Sequence, residues 1–168
     1  MVSEREMPND WIGQCFGCSR TNEQGLKLRF WLSEHGCFTR CIIPDYLCGL
    51  EGVVHGGITT LLLDEIAQWV LIACLGKMGV THELSVRFFK PVLTNVELRV
   101  EGQIIKQEGK SAVIHSAMYS PDNVLLAEGE ISYILPSLST IAKITAVDEL
   151  KLREFLSKYP IRENNCSK

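Results

Sequence analysis

The residues best suited to chemistry lie close together, between Gly52 and Glu65. Asp64 and Glu65 stand in a stretch that is otherwise almost wholly apolar. An unpaired carboxylate is costly to bury and its pKa tends to rise, so either residue is a candidate general base or nucleophile. Asp64 is the first choice, because Thr60, Asp64 and Gln68 are spaced four residues apart and share one face of a helix. A narrow polar stripe on an apolar helix indicates a cleft.

Two glycines, Gly56 and Gly57, open the same predicted helix. A helix N-terminus presents unpaired N–H groups and the positive end of the dipole, and glycine lets a substrate approach the backbone closely. A carbonyl oxygen that becomes negative during a reaction would be stabilised there. Structural explanations compete with this one: the glycines could serve close packing, and Asp64 could cap a loop or pair with Arg87. His55 is a further candidate, although no Asp or Cys around it completes a triad.

The elements that must position these residues follow from hydrophobic periodicity. The stretch from Gly56 to about Leu75 is apolar nearly all round, which is typical of a buried helix. Thr145 and Asp148 resemble a capping box that begins an amphipathic helix near the C-terminus. Segments with strand-like alternation are 26–32, 37–43, 84–88, 96–104, 112–119 and 124–135. A curved antiparallel sheet wrapped around the long helix is the simplest way to enclose it, so we predict an α+β fold.

Composition narrows the class of protein. The chain has 168 residues, 46% of them hydrophobic, and a net charge of −3, which together favour one domain and argue against a nucleic-acid or anionic-membrane binder. No apolar run approaches the roughly 20 residues that a membrane helix needs, so we expect no membrane-spanning helix. The polar N-terminus and the odd number of cysteines favour a cytoplasmic protein.

Metal and cofactor motifs are weak in this sequence. Cys15 and Cys18 form a C-x-x-C pair, but a zinc site would need further ligands, and no second pair exists. A redox role would want a helix after the pair, where a strand is predicted. No phosphate loop or dinucleotide fingerprint is present. We therefore expect no metal and no cofactor.

A family resemblance adds to this interpretation. The run His55-Gly56-Gly57, with Asp64 nine residues after the histidine, resembles the signature of hotdog-fold acyl-CoA thioesterases, most closely the phenylacetyl-CoA thioesterase-like branch. Similar segments occur at 15–26 and 81–91. The resemblance implies a hotdog domain over residues 15–135, with a lead-in at 1–14. An extension with a short amphipathic helix would occupy residues 136–168.

The resemblance implies hydrolysis of an acyl-CoA thioester to a carboxylic acid and coenzyme A. The Gly56 N–H, flanked by His55 and Gly57, would polarise the thioester carbonyl. Asp64 would act as base on water or as nucleophile through an anhydride, with Glu65 as its substitute and Thr81 orienting the water. Many relatives place an Asn or Gln where this chain has Gly49. That departure motivates an alternative, a catalytically weak or inactive acyl-CoA binding protein. A hotdog dehydratase is disfavoured, because no suitably placed histidine accompanies Asp64.

The partners expected are an acyl-CoA and a second copy of the chain. Gly56 and Asp64 are eight residues apart on one helix, about 12 Å along its axis, so both can reach one thioester only across two chains. A homodimer or a dimer of dimers is expected, and neither nucleic acid nor membrane. Candidate substrate contacts are Gln68, as a replacement donor, and, for the coenzyme phosphates, Arg87, Lys106 and Lys110.

Overall fold

A long apolar helix, α1 (Gly56–Leu75), is enclosed by a six-stranded antiparallel sheet. The structure, a computed structural model, describes residues 5–159; the remainder of the predicted lead-in and of the C-terminal tail lies outside the described residues. The strands are β1 (Trp31–Leu32), β2 (Gly36–Ile42), β3 (Cys48–Leu50), β4 (Val53–Val54), β5 (Val80–Phe88), β6 (Glu97–Glu108), β7 (Ser111–Tyr119) and β8 (Leu125–Ile134). The main sheet has the order β1-β2-β6-β7-β8-β5, and β3 and β4 form a separate hairpin. This arrangement confirms the α+β prediction.

Sheet and helix come close together along the middle of α1. Eleven of the twenty α1 residues are buried, among them Leu62, Ile66 and Val70. Gly102 on β6 lies opposite this face, and a Cβ placed there would come within 2.9 Å of the Val70 side chain. A strand glycine at this position allows close backbone approach, so the sheet can pack tightly on the helix. The helix ends at Gly76, whose positive φ of 59° suits glycine.

The segment before the sheet packs into the core. The buried Asn9 amide donates to the carbonyl oxygens of Cys18 at 3.0 Å and Leu28 at 2.7 Å. Residues 26–30 are held by separate hydrogen bonds to residues 7, 16 and 17. The predicted strand 26–32 is therefore regular only at Trp31–Leu32, because its backbone is shared with the incoming chain.

The C-terminal part contains two short helices, α2 (Leu138–Thr145) and α3 (Glu149–Ser157). The predicted capping box is wrong: Thr145 belongs to the end of α2, where its hydroxyl donates to the Ile141 carbonyl. Asp148 caps α3 by itself, accepting from the Leu150 N–H at 2.8 Å. The break between the helices is at Ala146, which has a φ of 55°.

An aromatic cluster joins α3 and the lead-in to α1. The Trp69 ring of α1 stacks on Phe30 with 4.3 Å between centroids. Phe155 of α3 meets Trp11 edge-on at 5.4 Å and Trp69 at 6.3 Å. Burial of these large rings makes α3 part of the same core as the sheet.

The expectation that no apolar run is long enough to span a membrane is wrong for α1. By length and composition, Gly56–Leu75 is a helix that could cross a membrane. The sheet and the flanking segments already cover it, and 61% of its most apolar stretch is buried. The central helix of a compact protein passes the same test, so the feature is weak evidence for a membrane span.

We predict that Phe155→Ala lowers the free energy of unfolding by about 3–5 kcal/mol, because it removes a fully buried ring. Leu150→Ala on the same helix is the control; its side chain is 64% exposed, and we expect a loss below about 0.5 kcal/mol. Chemical denaturation of the two variants and the parent measures both. Equal, small losses would contradict the packing of α3 into the core.

Candidate active site

Asp64 projects from the middle of α1 toward the strands at one edge of the sheet. The Thr81 hydroxyl of β5 donates to Asp64 Oδ1 at 3.0 Å. The Tyr133 hydroxyl of β8 lies 2.8 Å from the same oxygen and 2.9 Å from the Asp64 carbonyl oxygen. Within residues 5–159, Oδ2 accepts no hydrogen bond. The carboxylate is thus held by one oxygen and keeps the other for chemistry.

A cleft of about 270 Å³ opens in front of this carboxylate. Its polar residues from α1 and β5 are half-buried or exposed, whereas Tyr133 of β8 is buried. Gln68, one turn after Asp64, lies among them, as the polar stripe predicts. The apolar wall is formed largely by α2 and the chain after α1, through Met78, Ile141 and Ile144. A few converging polar groups in an apolar cleft are typical of a ligand site.

Tyr133 was not predicted from the sequence. It occupies an inward position in the β8 alternation, between Ile131 and Leu135, where an apolar side chain is expected. The hydroxyl of a buried tyrosine needs a hydrogen-bond partner, and that requirement is the only signal for it in the sequence. Burial, together with the Asp64 charge, raises the pKa of Tyr133 well above its usual value, so the hydroxyl stays protonated and donates.

The N-terminus of α1 lies at a different cleft, of about 540 Å³, bordered by Gly56 and Phe88. His55 is the N-cap, and its Nδ1 accepts the Gly57 N–H at 2.9 Å. The Gly56 N–H has no acceptor in the described part of the chain. A Cβ at Gly56 would lie 3.7 Å from the nearest side-chain atom, on Phe88, so close packing does not explain this glycine. The Gly57 N–H is paired with the His55 ring, whereas the Gly56 N–H is left as an unpaired donor at the helix N-terminus.

Gly49 lies beside the same helix terminus. A Cβ at this position would come within 3.2 Å of His55, both at its Cα and at its ring. A side chain at this position would press on His55, which would have to shift by a few tenths of an ångström. This chain therefore has no amide donor at position 49.

Glu65 faces away from Asp64, although both border the first cleft. The Cys15 thiol lies 3.4 and 3.5 Å from its two oxygens, and the Trp69 indole donates to it at 3.2 Å. Burial raises the pKa of Glu65 to about 8. A hydrogen bond from Cys18 lowers the pKa of the Cys15 thiol to about 5. None of these contacts involves Thr81 or Tyr133, the hydrogen-bond partners of Asp64.

The cationic candidates lie away from both clefts within one protomer. Arg87 borders another cleft on the sheet, together with His115. Lys106 pairs with Glu108 at 3.3 Å, and Lys110 follows in the exposed β6–β7 turn. None of the three is placed against Asp64, and their role at a coenzyme remains a prediction.

Comparisons with known proteins agree with this geometry. Residues 51–127 match the family model of the thioesterase superfamily. An uncharacterized protein of Schizosaccharomyces pombe is 37% identical over 65 residues, which span 38% of this chain and 37% of that protein. The crystal structure of a thioesterase superfamily protein superposes with a TM-score of 0.62 at 24% identity, covering 67% of this chain and 56% of that one. A Bacillus halodurans protein solved with CoA is 27% identical, with a TM-score of 0.54 and coverage of 59% and 66%.

The sheet around a central helix is therefore the hotdog fold, as predicted. The segment 51–127, which contains Gly56, Asp64 and Thr81, is similar to the thioesterase superfamily. The matched part of this chain spans 37% of the Schizosaccharomyces pombe protein and 56% of the crystallised thioesterase superfamily protein. The phenylacetyl-CoA thioesterase-like branch remains a prediction.

We predict that His55→Ala lowers the free energy of unfolding by about 0.5–2 kcal/mol, because the Gly57 N–H loses its acceptor. His55→Asn should restore most of the loss, since Asn is a favourable N-cap. Denaturation curves of both variants test this. A His55→Asn protein that is as unstable as His55→Ala would contradict the capping role.

Proposed function

We propose that the protein hydrolyses an acyl-CoA thioester to a carboxylic acid and coenzyme A. The observation that carries this proposal is a carboxylate held by Thr81 and Tyr133, with Oδ2 free, in an apolar cleft. The unpaired Gly56 N–H supplies the second requirement, a donor for a developing negative oxygen. The match of residues 51–127 to the thioesterase superfamily and the CoA held by the Bacillus halodurans protein support this substrate class.

The reaction follows from these groups. Asp64 takes a proton from a water molecule, whose oxygen attacks the thioester carbon. The carbonyl oxygen becomes negative and is stabilised by the Gly56 N–H and the helix dipole. The tetrahedral intermediate then expels the coenzyme A thiolate, which takes up a proton. Asp64 could instead attack directly, giving an anhydride that water hydrolyses; the same oxygen, Oδ2, serves both routes.

A complete site requires two copies of the chain. Gly56 and Asp64 lie about 12 Å apart along a continuous helix and border different clefts of one protomer. The carboxylate of one copy must therefore meet the N–H of another. A two-fold arrangement supplies two such sites at once.

The edge strand β5 is the surface best suited to bring the copies together. Nearly all of β5 is exposed, including the apolar side chains of Val80, Leu84 and Phe88. An apolar edge strand with unpaired backbone groups favours addition of another strand. Thr81, at one end of β5, contacts Asp64, and Phe88, at the other, borders Gly56. Antiparallel pairing of two β5 strands therefore places the Asp64 end of one copy beside the Gly56 end of the other.

The alternative function is acyl-CoA binding with little turnover. It is favoured by Gly49, which has no side-chain donor for the thioester and lies in tight contact with His55. The two functions differ in turnover and not in ligand. Thiol release from a panel of acyl-CoAs, measured beside CoA binding, decides between them.

We predict that Asp64→Asn lowers kcat about 100-fold or more, because it keeps the shape and removes the base. Asp122→Asn, in the exposed β7–β8 turn, is the matched control and should leave kcat unchanged. Thiol release measures turnover, and the melting temperature reports folding. Turnover of Asp64→Asn within a few-fold of the parent would exclude Asp64 as the base. Binding of CoA without thiol release by the parent would favour the binding protein.

We predict that two inactive variants restore activity when their chains are mixed. Gly56→Pro removes the N–H, and proline is well tolerated at the first position of a helix. A mixed dimer of Gly56→Pro and Asp64→Asn chains has one intact site of two, so refolding them together should give about a quarter of the parent activity.

Two further measurements serve as controls for the mixing experiment. Gly56→Ala keeps the N–H and is the steric control, with a smaller loss of kcat expected than for Gly56→Pro. Sedimentation of the parent should give at least a dimer. No recovery on mixing, or a fully active monomer, would contradict the shared site.

A further inference from the structure

Two cysteines and a glutamate meet beside the first cleft. The Cys15 and Cys18 sulfurs and a Glu65 carboxylate oxygen all lie within 4.8 Å of one another. The cysteines come from the turn before β1, and Glu65 comes from α1. All three are metal-ligating side chains, and the reaction proposed above uses none of them.

The surroundings of Glu65 pose an electrostatic problem. Its carboxylate is largely enclosed, and the groups around it in residues 5–159 are the Cys15 and Cys18 thiols and the Trp69 indole. No lysine or arginine is among them. A buried carboxylate without a cation is costly, and two adjacent thiols do not supply positive charge. A proton on Glu65 removes that cost, and so would a divalent cation between the three groups.

The distances suit zinc. Zinc lies about 2.3 Å from a thiolate sulfur and about 2.0–2.2 Å from a carboxylate oxygen, so in a tetrahedral site these two atoms are about 3.5–3.7 Å apart. The Cys15 sulfur lies 3.4 and 3.5 Å from the Glu65 oxygens. The C-x-x-C spacing is also typical of zinc sites, and thiolates select zinc over magnesium or calcium.

The neighbouring residues are arranged around the carboxylate. Gly17 lies between the two cysteines, and a Cβ there would come within 2.6 Å of Glu65. Only glycine therefore lets the carboxylate reach the turn. The Trp69 indole donates to Oε1 and orients the group, as partners of metal ligands do.

We propose that Cys15, Cys18 and Glu65 bind a zinc ion, with a fourth position open to the cleft that contains Asp64. Cys18 is fully buried, whereas Cys15 and Glu65 border that cleft, so water or an anion in the cleft can occupy the open position. The ion ties the turn at residues 15–18 to α1 one residue away from Asp64. The proposal departs from the expectation of no metal, because the third ligand is far along the chain from the C-x-x-C pair.

Zinc binding is tested on the reduced 168-residue protein without any measurement of turnover. We expect one zinc per chain in a titration against a chromophoric chelator. Cobalt in place of zinc should show thiolate-to-metal charge transfer. Less than stoichiometric zinc, or cobalt without that band, would overturn the proposal. A Cys15–Cys18 disulfide that, once reduced, binds no zinc would also overturn it.

Three variants locate the site. Cys18→Ser removes a ligand and Gly17→Ala displaces Glu65, so each should weaken zinc binding by more than the roughly 10–100-fold lost with an orienting partner. Cys48→Ser, a free cysteine outside the cluster, should bind as the parent does. Zinc should raise the melting temperature of the parent and of Cys48→Ser only. Unchanged affinity in Cys18→Ser would refute the assignment. If that variant does not fold, the cobalt spectrum of the parent decides alone.

Discussion

The structure depends on covering one helix that is apolar on nearly every side. Burial of Leu62, Ile66 and Val70 under the sheet removes most of that surface from water, the dominant favourable contribution to folding. The few polar side chains of α1 can then lie only where the sheet stops. Asp64 faces the last two strands, β8 and β5, and accepts a hydrogen bond from one hydroxyl group on each strand. The hydrophobic requirement thus places the carboxylate at the exposed edge of the sheet.

The rigidity of α1 has a second consequence. A helix keeps Gly56 and Asp64 at a constant separation, so side-chain rotation cannot bring the free N–H to the free Oδ2 within one chain. Within residues 5–159, nothing covers β5, because it is the last strand of the sheet. One event, pairing of two β5 edges, would cover the apolar edge and bring the two halves of the site together. Stability and chemistry favour the same contact.

The sequence predicted what depends on periodicity and on short motifs. The helix over 56–75 and the four strands after it are confirmed, because each has a clear hydrophobic pattern. The predictions failed where tertiary contacts decide. The strand at 26–32 is mostly irregular, since the incoming chain takes its hydrogen bonds. The capping box at Thr145 was wrong because Ala146 adopts positive φ and divides the region into two helices. Tyr133 and the Cys15–Glu65 contact join residues far apart in sequence, which local spacing cannot reveal.

Helix geometry also explains why two adjacent carboxylates have different surroundings. Successive residues of a helix point about 100° apart, so Asp64 and Glu65 cannot face the same neighbours. Asp64 meets the hydroxyls of Thr81 and Tyr133, which stabilise an ionised carboxylate and leave one oxygen free. Glu65 meets sulfur and an indole, where only a proton or a metal ion makes the carboxylate acceptable.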